Sequence, residues 1–152
     1  MRQTGKNMNE FLEAAIDEAK KGLADGGIPI GSVLEIDGKI VSRGHNQRVQ
    51  LGSVVLHAEM DCLEKAGRLK ISEYGRATLY TTLSPCDMCT GGVLLYGIPN
   101  VVIGENSTFR GPENYLQSRG VKIVVHDNRE CRLLLKKFIN EYPDLWNEDI
   151  GK

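Results

Sequence analysis

The sequence predicts a three-layer α/β/α sandwich around one mixed five-stranded sheet. Three observations predict it. Helical and strand-like patterns alternate along most of the chain, a hairpin signal stands ahead of that alternation, and no linker or internal repeat interrupts it. With 152 residues, 41% hydrophobic and 26% charged, the chain has the size and balance of a single domain over 1–152.

Asn9 is placed to cap a first helix through about Gly22, with Phe11, Leu12, Ala15, Ile16, Ala19 and Leu23 as its apolar stripe. Asp25-Gly26-Gly27 ends it. Ser32–Ile36 and Lys39–Ser42 are β-rich runs on either side of Asp37-Gly38, a hairpin turn pair. A second helix is expected around His57–Lys65, closed by Gly67, and Thr78–Thr82 reads as a buried strand. Pro85 opens a helix to about Tyr96, and Gly97 is placed to terminate it. Val101–Ile103 and Val121–Val125 supply the remaining strands, with a short helix between them. Asp127 or Asn128 caps a last helix from Arg129 to about Tyr142, with Leu133, Leu134, Phe138 and Ile139 as its buried face.

Charge narrows the partners. The formal net charge is −1, and the basic clusters are short: Lys20-Lys21, then Arg132 with Lys136-Lys137. These read as solvated helix faces rather than a phosphate track, and the stretch from Glu141 to Asp149 is acidic. The pattern favours a small, uncharged or cationic substrate over a nucleic acid. No apolar run approaches the ~20 residues of a membrane span. Met1–Asn7 lacks an apolar signal core, so a cytoplasmic location is expected. Cys62, Cys86, Cys89 and Cys131 then read as ligands or buried thiols rather than disulfides.

The chemistry concentrates in His57-Ala58-Glu59 and Pro85-Cys86-Asp87-Met88-Cys89. A Cys-x-x-Cys at a helix start sets two thiolates on adjacent turns, and the positive end of the helix favours their charge. One imidazole and two thiolates provide three ligands for one Zn²⁺ and leave a fourth position open, the mark of a catalytic rather than a structural zinc. Glu59, two residues beyond His57, is placed beside the metal without ligating it and can carry protons between a zinc-activated water and a substrate. The arrangement matches the signature of zinc-dependent nucleobase deaminases. A redox Cys-x-x-Cys would leave His57-Ala58-Glu59 unexplained. A four-ligand structural zinc would need Cys62, which falls off the helix face of His57.

Beyond these motifs the chain resembles the fungal-type cytosine deaminases of the cytidine deaminase superfamily. The resemblance is carried by Arg43-Gly44-His45-Asn46, His57-Ala58-Glu59 and Thr81-Thr82-Leu83-Ser84-Pro85-Cys86-Asp87-Met88-Cys89-Thr90-Gly91. Tyr96-Gly97-Ile98-Pro99, Gly104-Glu105-Asn106, Tyr115–Gly120 and Trp146–Gly151 extend it in the same order. It implies hydrolysis of free cytosine to uracil and ammonia in pyrimidine salvage, with one zinc per subunit of a homodimer. It places Asn46 on the ring carbonyl, Asp149 on the exocyclic amine, and Phe109 and Trp146 over the ring faces. Ile30, Leu83 and Ser84 would line the sides, and the main-chain N–H groups of Ala58 and Cys86 would donate to the ring carbonyl and the zinc-bound oxygen. The segment 143–152 would close the site. His45 and His126 read as structural, and Cys62 and Cys131 as buried thiols.

The chain departs from that pattern in three places. Ala58 stands where the fungal enzymes carry Gly, Asn147 replaces an aromatic residue, and the loop Arg110-Gly111-Pro112-Glu113 is one residue shorter and carries a proline. Other bases, such as guanine or a 5-substituted cytosine, are the first alternative substrates. A tRNA adenosine deaminase shares both motifs, but a tail carrying Trp146 and Asp149 over the site would shut out a polynucleotide. A non-enzymatic zinc module would have no use for Glu59.

Overall fold

The computed structural model describes residues 5–152, with side chains from residue 9 onward; Met1–Thr4 lie outside the described residues. In chain order the elements are α1 (Gly5–Ala24), β1 (Gly31–Ile36), β2 (Lys39–His45), α2 (Arg48–Leu51), α3 (Ala58–Ala66), α4 (Ile71–Tyr74) and β3 (Ala77–Leu83). They continue with α5 (Asp87–Tyr96), β4 (Asn100–Glu105), α6 (Glu113–Ser118), β5 (Lys122–Val125), α7 (Arg129–Glu141) and α8 (Pro143–Asp149).

The strands form one sheet in the order β2-β1-β3-β4-β5. Strand β1 pairs antiparallel with both β2 and β3, whereas β3, β4 and β5 run parallel. The hairpin turn places Asp37 and Gly38 at φ 53° and 83°, the paired positive values that this tight turn requires. The sheet is covered on both faces, and its residues divide by the strand period of two. Val33, Tyr80 and Val102 face α1 and α7, packing with Phe11, Ala15, Ile16 and Cys131. Leu34, Leu79, Val101 and Ile103 face α3, α5 and α6, packing with Cys62, Leu63, Val93 and Leu116. The expected three-layer sandwich is therefore the observed one.

Several local expectations are corrected. Helix α1 begins ahead of Asn9, whose amide therefore lies inside the helix and needs no cap. Leu23, in the last turn of α1, is exposed, and so is Leu133, because the buried stripe of α7 runs through Cys131, Leu135 and Phe138 at helical spacing. Asn128, rather than Asp127, caps that helix by accepting from the Cys131 N–H at 2.9 Å. The short helices α2, α4 and α8 were not anticipated; each is seven residues or fewer, too short for a periodic pattern.

Three contacts fix the end of β2, where the site begins. The His45 N–H donates to Asp61 Oδ2 on α3 at 3.1 Å. Its ring Nδ1 lies 3.0 Å from Glu18 Oε1 on α1. A Cβ on Gly44 would fall 2.5 Å from the Cys62 nitrogen, so only glycine lets β2 and α3 approach this closely. Burial raises the Glu18 carboxyl pKa, but the hydrogen bonds from His45 and Lys21 outweigh it and hold the group below its ordinary value. A depressed carboxyl contributes stability above the ordinary carboxylate range and loses it as pH falls through the folded-state value. Glu18→Gln is expected to lower the melting temperature at pH 7 by about 2–4 °C, the effect of roughly 1 kcal/mol in a chain this size. Thermal melts across pH should show the difference closing as pH falls below the ordinary carboxylate range.

Candidate metal centre and active site

Two helix amino termini converge beyond the carboxyl ends of β2 and β3. His57 is the N-cap residue of α3, and Cys86 is that of α5, with Cys89 in the first turn. Strand β3 delivers Cys86 through Leu83-Ser84-Pro85, and the Gly44–Cys62 approach holds α3 against β2. Cys86 Sγ lies 3.4 Å and Cys89 Sγ 3.8 Å from His57 Nδ1. The three donor atoms are within 4.8 Å of one another. Tetrahedral Zn–N and Zn–S bonds place their donors about 3.6 Å apart, so the cluster has the dimensions of a zinc site.

The charge state fits as well. The Cys86 thiolate accepts from the Cys89 thiol and the His57 ring, which together outweigh burial and hold it at about 4. Burial disfavours charge on His57, but Cys86, Asp149 and Glu59 raise it to about 9. Cys89 is pushed well above its ordinary value because it donates to Cys86 and is buried. Protons here occupy the place of a cation that a soft, divalent metal would fill. No fourth ligand joins the group among the described residues. Cys62 is buried away from it against Ser42, with its thiol pushed up to about 12 by burial, and Cys131 is likewise a buried thiol.

Glu59, in the first turn of α3, stands outside the ligand group but lines the same cavity. Burial raises its carboxyl to about 7, against the opposing charge of His57. Ile30, His57, Leu83, Ser84, Cys86, Phe109, Asp149 and Ile150 complete that lining. The free volume is about 20 Å³, room for a water molecule but too little for a planar base. Beyond it lies a wider cleft of about 680 Å³ bordered by Arg48, Val54, Phe109, Arg110, Glu148 and Asp149.

The other expected residues stand just behind this lining. Ala58 and Trp146 are buried in the apolar cluster of Ile30 and Leu83. Trp146 meets the Phe109 ring edge to face, with centroids 6.2 Å apart. Asn46, fully buried, donates from Nδ2 to Asp149 Oδ1 at 2.8 Å, while its Oδ1 accepts the Arg48 N–H at 3.0 Å. Asp149 Oδ1 also lies 3.4 Å from His57 Nε2, the outer carboxylate contact typical of a ligating imidazole. The Ser84 hydroxyl donates to Glu113 Oε2 at 2.7 Å and is thus committed to the neighbouring loop.

Arg48, Glu105 and Glu113 were missed from the sequence. The Arg48 guanidinium sits 3.8 Å from both Glu148 and Asp149. Arg48 belongs to no motif, Glu105 stood only within a segment of the resemblance, and Glu113, in the first turn of a short helix, reads merely as a favourable end charge. A concavity of about 700 Å³ between Leu23 and Phe138 is lined by apolar and paired charged side chains and holds no ligating cluster.

Residues 6–105 match the family described as the cytidine and deoxycytidylate deaminase zinc-binding region. The chain is 51% identical to a cytosine deaminase of Candida albicans over 142 residues, 93% of this chain and 95% of that one. It is 43% identical to a tRNA-specific adenosine deaminase of Bacillus subtilis over 95 residues, 62% of this chain and 59% of that one. A solved structure of the protein NE0047 with 2,6-diaminopurine shares the fold at a TM-score of 0.75 and 21% identity, covering 90% of this chain and 83% of that one.

Metal analysis of the purified chain should find one zinc per chain. Cys86→Ser and Cys89→Ser are each expected to weaken retention more than about 100-fold in chelator competition, whereas Cys62→Ser should keep the full complement.

Proposed function

The chain belongs to the cytidine and deoxycytidylate deaminase family, and from that premise we propose that it hydrolyses free cytosine to uracil and ammonia. The observation that carries the reaction class is a buried carboxylate, Glu59, lining one cavity with His57 and Cys86, two of the three metal donors, without joining their group. The likeness to a cytosine deaminase over nearly the whole of both chains carries the substrate. Likeness to tRNA deaminases covers less of the chain and omits part of it that the cytosine enzyme shares.

Zinc held by His57, Cys86 and Cys89 supplies Lewis-acid chemistry, bringing the pKa of a water to about 7. Glu59 takes a proton from the attacking water and delivers it to N3 of the ring as oxygen bonds to C4. It then moves the second proton to the exocyclic amine, the C4–N bond breaks, and ammonia leaves. One water is consumed and both its protons are accounted for. Asn46 donates to the ring carbonyl, Asp149 accepts from the exocyclic amine, and the Ala58 and Cys86 N–H groups complete the polar contacts. Ile30, Leu83 and Ser84 bound the ring edge, with Phe109 and Trp146 on its face. The existing 2.8 Å bond between Asn46 and Asp149 supports this pairing, since it already presents both groups to one point.

The carboxyl-terminal segment 143–152 acts as the lid. Asp149 and Ile150 line the inner cavity, whose present volume excludes a base, so admission requires these residues or Phe109 to move. The protein works as a homodimer. Leu95 on α5 is 71% exposed, and Ile71, 64% exposed, lines an apolar groove with Met60, Leu63, Leu69 and Tyr96, surfaces suited to a second copy. No helix among the described residues is long and apolar enough to cross a membrane. Free thiols in the metal group suit a reducing cytoplasm, where free bases are salvaged.

Ultraviolet-monitored loss of cytosine should be seen with the zinc-loaded chain. Glu59→Gln is expected to retain zinc and fold while losing about 10²–10⁴-fold in kcat. Editing of an RNA stem-loop without turnover of any free base would overturn the assignment. Leu95→Glu is expected to halve the mass measured by light scattering.

A further inference from the structure

We propose that Glu113 is a positioning residue that holds Phe109, one face of the substrate pocket, in register with the loop carrying the ligand Cys86. The inference rests on the pocket reading above. The segment 106–112 joins β4 to α6 and carries Phe109 at its middle. A buried carboxylate stands at each end: Glu105, with no exposed surface, and Glu113, 4% exposed. Glu105 accepts the N–H groups of Ser107 and Thr108 at 2.8 and 3.0 Å, together with their hydroxyls, and so shapes the first turn of the segment.

Glu113 does something different, because its partners belong to two separate parts of the pocket. Its Oε2 accepts from the Ser84 hydroxyl at 2.7 Å, in the short stretch between the pocket wall Leu83 and the ligand Cys86. Both its oxygens accept from Asn106 Nδ2 at 3.2 Å, on the amino-terminal side of Phe109. The same Ser84 oxygen accepts the Gly111 N–H at 3.0 Å, on the carboxyl-terminal side. A Cβ on Gly111 would fall 1.8 Å from the Pro85 carbonyl oxygen, so the two backbones touch where this bond forms. Phe109 is therefore bracketed at Asn106 and Gly111, and both brackets lead to Ser84 and Glu113.

The donor arithmetic explains why a carboxylate is used. A carboxylate only accepts, and all three side-chain bonds drawn to Glu113 are donated to it. Glutamine would turn one oxygen into a donor facing either a hydroxyl already donating or an amide N–H. A buried carboxylate is costly unless so satisfied, which argues against an incidental placement. Arg110 approaches only to 3.7 Å and is more than half exposed, so it adds little.

The test uses the zinc-loaded full chain with Asn106→Ala, Glu113→Gln, Glu113→Ala and the double variant Asn106→Ala/Glu113→Gln. Trp146 is the chain's single tryptophan and abuts Phe109, so its emission reports the position of that ring without any substrate. Each variant is expected to keep one zinc per chain and a kcat within about threefold of wild type. KM for cytosine should rise about tenfold, and Trp146 emission should shift to the red with easier acrylamide quenching. The double variant should be no worse than the more affected single one, because the two residues share one interaction. Wild-type KM and emission throughout would overturn the proposal, as would additive effects in the double variant or a kcat that falls in step with zinc content. If Glu113→Ala does not fold, Asn106→Ala and Glu113→Gln decide by the same readouts. If wild type fails to turn over cytosine, the pocket reading falls, and the Trp146 shift alone still decides whether Glu113 places Phe109.

Discussion

The whole site depends on two helix amino termini being brought to one point. His57 and Cys86 each end an extended stretch and begin a helix, so their side chains leave the backbone where unpaired N–H groups concentrate positive charge. Cys86 is held as a thiolate there before any metal arrives, accepting from the Cys89 thiol and the His57 ring. This pairing also explains why neither His57 nor Cys86 offers a side-chain cap to its own helix: both side chains point across the gap at each other. The convergence in turn demands close backbone packing, met at Gly44 against α3 and through the β3 register that sets Leu83 ahead of Cys86.

Around this point the chain divides its labour. The three metal donors and Glu59 lie within the family match, which stops at Glu105, the last residue of β4. Phe109, Trp146 and Asp149, three of the residues proposed for the substrate, lie beyond it. Buried carboxylates serve both halves but in different ways. Glu59 keeps free lone pairs in a cavity and can exchange a proton, whereas Glu105 and Glu113 are saturated with donors and act as anchors. The same functional group is thus reactive or inert according to what surrounds it.

The layering and the metal ligands were legible in the sequence because each rests on a short-range rule. Alternation in Val33-Leu34 and Leu79-Tyr80 assigns the two sheet faces, and Cys86-x-x-Cys89 needs only helical spacing to bring two sulfurs together. Asn46 and Asp149 were legible through resemblance alone, and their mutual bond was not foreseen, since no local pattern links positions so far apart. Leu133 misled because an apolar residue on an amphipathic helix is assigned by eye to the wrong side when Cys131 and Leu135 already complete the stripe. Glu113 and Arg48 stayed invisible for a further reason. A charged residue reads as surface until its burial is known, and burial is a property of the assembled fold.

The bond between Asn46 and Asp149 has a consequence for how the molecule is built. It closes a loop of 103 residues, whereas His57 and Cys89 are 32 apart. Loop-closure entropy makes the longer connection costlier by about 1 kcal/mol, before the ordering of α8 is counted. Topology therefore favours an order of assembly in which the ligand trio gathers first and the carboxyl-terminal helix docks last. Since that helix also leaves the ribosome after the ligand trio, a nascent chain can present its three donors to an incoming ion while the chamber over them is still uncovered, and the docking helix then covers what has already been loaded.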